Sequence, residues 1–164
     1  SEATEVAAIL AETPQAVGIL PQPFATVALS NNEALKNVLD LTKEWDHLNE
    51  ESKSRLVTGV TIVRSGFLEE NPEEVAAFLE DHESSANFIN ENPKEGAELV
   101  EQAGIVEKAV IAEKAISYCN ITCITGEEMK DALLGYLQVL YDLNPDSVGG
   151  TLPEEDFYQI RLSE

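Results

Sequence analysis

Two periods of apolar residues run along this chain, and the switch between them predicts its elements. From residue 72 onward the spacing is helical. Val75, Phe78, Leu79, Ala86 and Ile89 fall on one face, with His82 among them. Asn71-Pro72-Glu73-Glu74 opens that helix with a capping Asn and a Pro at the first helical position. Asn92-Pro93-Lys94-Glu95 repeats the signal and leads through Ala97, Leu99 and Val100 to a stop at Gly104. A third helix is predicted over 107–117. Thr125-Gly126-Glu127-Glu128 reads as a capping box before the stripe Met129, Leu133, Tyr136, Leu137, Leu140 and Tyr141. These stripes are read as core.

The first half alternates between periods. Residues 2–12 read as helix and Ala16 to Leu20 as a strand, ended by the rigid turn Leu20-Pro21-Gln22-Pro23-Phe24. A helix is expected over Phe24 to Leu29, a short extended piece over Asn37 to Leu41, and another helix over Thr42 to Asn49. The strongest strand signal is Leu56-Val57-Thr58-Gly59-Val60-Thr61-Ile62-Val63, β-branched and apolar, with Gly59 permitting a close backbone approach. Strands separated by helices predict an α/β fold. The strands are nevertheless few, and the last hundred residues are mostly helical. No complete doubly wound sheet is expected, and no internal repeat is present.

Composition narrows the function more than the fold. The chain has 164 residues, 43% of them hydrophobic, enough for one ordinary core. Its 31 acidic against 10 basic residues give a net charge of −21, which repels phosphate backbones and anionic lipid. Nucleic acid is excluded as a partner. The acidic residues are spread along the sequence and read as a solvated surface. No run is long enough to span a membrane, and no signal peptide is present. The chain opens at Ser1 and its single Met is Met129, so it reads as a processed product or an excised fragment.

Candidate chemistry is sparse. Cys119 and Cys123 stand four residues apart. On a strand they would lie about 13 Å apart, too far for a disulfide, whereas a helix would bring them close. Ile121-Thr122-Cys123-Ile124 favours a strand over 120–124 and two buried thiols. His47 and His82 are the only histidines, each beside acidic residues, and read as surface or interface groups. Pairs such as Glu69-Glu70 and Glu154-Glu155 are expected by chance in so acidic a chain. No phosphate-binding loop, dinucleotide fingerprint or nucleophile elbow occurs. Trp45 reads as a packing anchor. No metal, cofactor or catalytic set is expected.

Three segments resemble substrate-binding proteins of ABC importers, in the branch that includes receptors for nitrate, sulfonates, taurine and thiamine-precursor pyrimidines. They are Ala16 to Leu29, Leu56 to Pro72, and Cys119 to Tyr158. The last includes Gly126-Glu127-Glu128-Met129-Lys130, Asn144-Pro145 and the stretch from Gly149-Gly150 to Phe157-Tyr158. The similarity covers nearly the whole chain but matches only the C-terminal half of such a receptor. It implies the C-terminal part of a two-lobed type 2 periplasmic-binding fold. Residues 1–55 would then be the tail of the second lobe, and residues 56–164 the returning strand and C-terminal helices of the first.

The resemblance also implies a role. A small polar solute would be captured between the lobes and passed to ABC permease subunits, without catalysis, at the extracellular or periplasmic face. The full-length protein would carry a signal and a lipid anchor. The matched ligand-binding positions are Gln22, Pro23 and Phe24 in the turn and Thr58 and Gly59 in the returning strand. Phe24 would form an apolar wall; Gln22, Thr58 and the Gly59 N–H would form hydrogen bonds. Rigidity of the turn accounts for Pro21 and Pro23 without direct contact. Where many family members carry Glu this chain has Gln22, which leaves the ligand's charge open. Two other classes stay in view. One is a stand-alone acidic interaction module; the other is an enzyme like the thiamine-pyrimidine synthases, for which no His falls in the matched segments. A chain lacking half its fold is expected to self-associate or exchange domains.

Overall fold

A computed structural model describes residues 2–159. Its helices are α1 (Ala3–Glu12), α2 (Phe24–Asn31), α3 (Leu41–Leu48), α4 (Ser65–Glu70), α5 (Pro72–Glu91), α6 (Pro93–Gln102), α7 (Ala109–Ile116) and α8 (Gly126–Leu143). Two single 3₁₀ turns follow, Pro145–Val148 and Glu155–Phe157. Among the described residues no helix is long and apolar enough to cross a membrane.

The α/β expectation is overturned. No strand forms among the described residues, so the chain is helical with extended connections. The strand expected at Leu56 to Val63 lies in a stretch, residues 53–64, that runs without helix, turn or bend. None of the main-chain groups of residues 56–63 has a backbone partner among the described residues. β-Branched side chains hold a backbone straight, but a strand exists only when a second one completes its ladder. Ala16 to Leu20 is unpaired for the same reason. At Asn120 to Ile124 the expected strand fails at its first residue. Asn120 takes a left-handed conformation (φ 51°) at the end of a turn. The Ile121 carbonyl accepts instead from Asn90 Nδ2 at 2.8 Å. Cys119 and Cys123 are free and half-buried.

Helix positions agree more closely with the periodicity, while the capping differs. Helix α4 was not anticipated; it occupies residues directly after the extended stretch. Single residues, Asn71 and Asn92, separate α4 from α5 and α5 from α6. Their side chains donate backward, Asn71 Nδ2 to Phe67 O and Asn92 Nδ2 to Phe88 O, both at 3.1 Å. At such abrupt junctions the unpaired carbonyls of the preceding helix lie within reach of the amide. The capping box at Thr125 does not close: its side chain makes no cap bond to α8. Asp40, unanticipated, caps α3 by accepting from Thr42 N and Lys43 N at 3.1 and 3.4 Å.

The chain divides into two units. The first takes the chain up to Val38 and again Glu80–Cys123. Its core is built on small residues. Ala97, Ala112 and Ile116 are buried where α6 meets α7, with Ile89, Val100, Val106 and Ala109 around them. Gly96 lets α6 approach α5, since a Cβ there would lie 2.6 Å from Ile89 Cγ1. Helices α1 and α2 pack together, Leu10 of α1 and Ala28 of α2 are buried, and α2 also touches α7.

The second unit takes Leu39–Leu79 and the chain from Ile124 onward. Trp45 on α3 lies against Tyr136 on α8, ring centroids 5.2 Å apart, and donates its Nε1–H to Ser54 Oγ at 3.0 Å. This is the packing anchor predicted for that Trp. Tyr158 is buried, edge-on to Phe157, and its hydroxyl has no hydrogen-bond partner among the described residues. Lys130 on α8 pairs with Glu155.

Candidate functional site

The second unit carries an open groove of about 830 Å³, formed where residues 53–55 pass between α3 and α8. Gly135 makes that passage possible. A Cβ at residue 135 would stand 2.9 Å from Ser54 Cβ and 3.0 Å from its Cα. Lys53, immediately before, turns the chain in the left-handed region at φ 55°. Ser54 is buried, and the charged side chains on either side of it stay at the rim.

Every charge on that rim for which a partner is resolved is compensated locally. Lys53 Nζ donates to Asp131 Oδ2 at 2.7 Å. Arg55 Nη1 donates to Asp46 Oδ1 at 3.3 Å, and His47 Nδ1 lies 3.4 Å from Glu50 Oε1. The hydrogen bond and charge of Asp131 hold the Lys53 ammonium above its usual pKa. All these pairs are largely solvent-exposed, so each contributes little to stability. The groove therefore presents both signs of charge side by side. Such a surface can orient a small polar or zwitterionic molecule. It offers neither an uncompensated cation to hold an anion nor a buried carboxylate of the kind a general acid requires.

The residues expected to bind ligand divide between the units. Gln22, Pro23 and Phe24 fall together in the first, at the start of α2. The Gln22 side-chain oxygen accepts from Thr26 Oγ1 at 2.7 Å and from Thr26 N at 3.3 Å. Its carbonyl is thereby engaged in holding the first turn of the helix, and its amide N–H groups donate to no described residue. The Gln22–Pro23 bond is cis, and the Pro23 carbonyl accepts from Val27 N at 3.0 Å. Phe24 is half-buried as the first residue of α2. Thr58 and Gly59 fall in the second unit and are exposed. Gly59 meets no steric demand, since a Cβ there would have no atom within 4 Å.

Sequence reasoning passed over Lys53, Ser54, Arg55 and Asp131. The signal available for them was indirect: a glycine inside the helical pattern of α8 often marks a close backbone approach. Burial raises the pKa of both Cys119 and Cys123, with Glu83 adding to the rise at Cys123. Among the described residues no group of His, Cys, Asp and Glu is placed to hold a metal ion.

No protein family and no curated protein matches this sequence. Its structure is similar to the crystal structure of an ABC transporter from Parabacteroides distasonis, with a TM-score of 0.74 at 24% identity. The match covers 96% of this chain and 53% of that one, so the chain spans about half the length of its structural relative. The two share a fold.

Proposed function

We propose that this chain belongs to the solute-capturing component of an ABC importer and binds rather than transforms its ligand. The observation that carries the reading is the structural likeness to an ABC transporter protein over nearly the whole chain. The acidic surface fits a component that does not work on nucleic acid. The ligand in this reading is a small polar solute. The Gln22 amide donates to it, because its carbonyl is engaged by Thr26, and Phe24 gives it an apolar wall. Thr58 and Gly59 are proposed as further contacts. A donor amide in place of a carboxylate favours solutes that bring acceptor oxygens. ABC permease subunits are the proposed partners, and an extracytoplasmic, lipid-anchored location is proposed with them.

The test uses the product of the complete coding sequence. Thermal unfolding is followed with nitrate, taurine, an alkylsulfonate and a substituted aminopyrimidine as probes. One of them is expected to raise the midpoint, with Phe24→Ala abolishing the rise. If none raises it, and no permease subunit co-purifies, the receptor reading is wrong.

A further inference from the structure

Thr26 is a polar residue buried in the first turn of α2, 7% exposed. A buried hydroxyl must place its proton on an acceptor. A threonine within a helix commonly gives it to the main-chain carbonyl four residues back. Thr26 gives it instead to the side chain of the residue four back, Gln22 Oε1, at 2.7 Å. The orientation of the Gln22 amide follows. The main-chain N–H of Thr26 can only donate, and it meets the same Gln22 atom at 3.3 Å. Whatever Gln22 places there must accept, so that atom is the oxygen; a flipped amide would set its NH2 against the Thr26 N–H.

Two donors thus converge on one oxygen of a half-buried side chain. The two N–H donors at the other end of that amide have no acceptor among the described residues. The surrounding sequence adds no competing charge, since residues 13–32 contain no Asp, Glu, Lys, Arg or His. The turn brings no ion pair of its own to a ligand, so donor or acceptor character decides what it holds.

We propose that Thr26 determines the specificity of the candidate solute site: by holding the Gln22 oxygen it makes residue 22 a donor, which selects solutes presenting acceptor oxygens over solutes presenting N–H groups. The inference rests on the receptor reading, which sets Gln22 against the solute. Thr26 is a positioning residue in it, buried and acting through Gln22. The atom of residue 22 that Thr26 does not hold decides the outcome. With Gln that atom is the NH2, which donates. With Glu in the same place, Thr26 would hold one carboxylate oxygen and leave the other to accept, so the preference would invert.

The product of the complete coding sequence, isotope-labelled for NMR, is titrated at constant ionic strength with nitrate and with guanidinium. Both are small planar ions, but nitrate only accepts hydrogen bonds and guanidinium only donates them. The Gln22 side-chain N–H signals, identified by their loss in Gln22→Leu, should shift saturably with nitrate and stay in place with guanidinium. Thr26→Val keeps the shape and removes the hydroxyl; it should cut the preference for nitrate about fivefold, the Thr26 N–H bond preserving the rest. Thr26→Ser should restore it. In Gln22→Glu, followed at the main-chain amide of Phe24, guanidinium should bind and nitrate should not. Far-ultraviolet circular dichroism checks that each variant keeps its helices. The proposal is overturned when nitrate binds and Thr26→Val leaves the preference unchanged, or when Gln22→Glu does not reverse it. A preference for guanidinium in the unaltered protein, or nitrate that moves no Gln22 signal, overturns it as well. The receptor reading falls separately, when nitrate, taurine, the alkylsulfonate and the aminopyrimidine all leave the unfolding midpoint unmoved.

Discussion

The α6–α7 contact and the stretch 56–63 both carry apolar residues and meet opposite fates. On α7 the packed residues Ala109, Ala112 and Ile116 recur every three to four positions, and the helix that covers them, α6, lies a few residues away in sequence. Ala97, Ala112 and Ile116 are accordingly 1%, 3% and 5% exposed. In 56–63 the apolar residues are nearly continuous, a pattern that needs covering on both faces and pairing along the edges. Nothing within the described chain supplies that. Helical periodicity can be satisfied locally, whereas strand periodicity depends on a partner at a distance.

The largest test of this contrast compares two isoleucines. Ile116→Ala should cost about 3 kcal/mol of unfolding free energy, through lost burial and the cavity left between α6 and α7. Ile62→Ala, at an 82% exposed site, should stay within about 0.5 kcal/mol in dilute solution. Urea unfolding measures both. Equal costs would mean that 56–63 is packed in the monomer, and the contrast would collapse.

Gly135→Val should cost about 2 kcal/mol, because the new side chain collides with the backbone at Ser54. It should also break the Trp45–Ser54 hydrogen bond, read as a shift in Trp45 fluorescence. An unchanged spectrum would show that residues 52–54 can move off α8 freely.

The smallest effect is at Tyr158. Removing its unpartnered hydroxyl with Tyr158→Phe should leave stability unchanged or raise it by about 1 kcal/mol at neutral pH. Burial, with help from Glu155 and against Lys130, lifts the phenol above its ordinary pKa of 10.0. The folded state thus holds its proton where the unfolded chain has released it. That contribution is complete below the ordinary pKa and is lost as pH rises through the raised one. The alkaline fall of stability should be shallower in Tyr158→Phe. A fall of equal slope would assign it to Lys53, whose pKa Asp131 also raises, or to other groups.

Much of the helical framework was legible in the residues. The starts at Pro72 and Pro93, the stripe of α8 and the anchoring role of Trp45 all follow from period, cap residues and aromatic size. The direction of the Asn71 and Asn92 bonds was not legible, because it depends on how abruptly one helix follows another. The groove was legible only as a glycine in α8; its pairs, such as Lys53 with Asp131, join residues far apart in sequence.

The sequence by itself determined where the helices other than α4 form, that residues 56–63 run extended, and the net acidic charge. These depend on backbone propensity, side-chain spacing and a count of ionisable groups, each readable within a window of a few residues or as a sum. Tertiary structure alone decided whether a straight segment becomes a strand, and which charges compensate one another. A ladder or an ion pair is a relation between two places in the chain, and neither partner's local sequence contains the other.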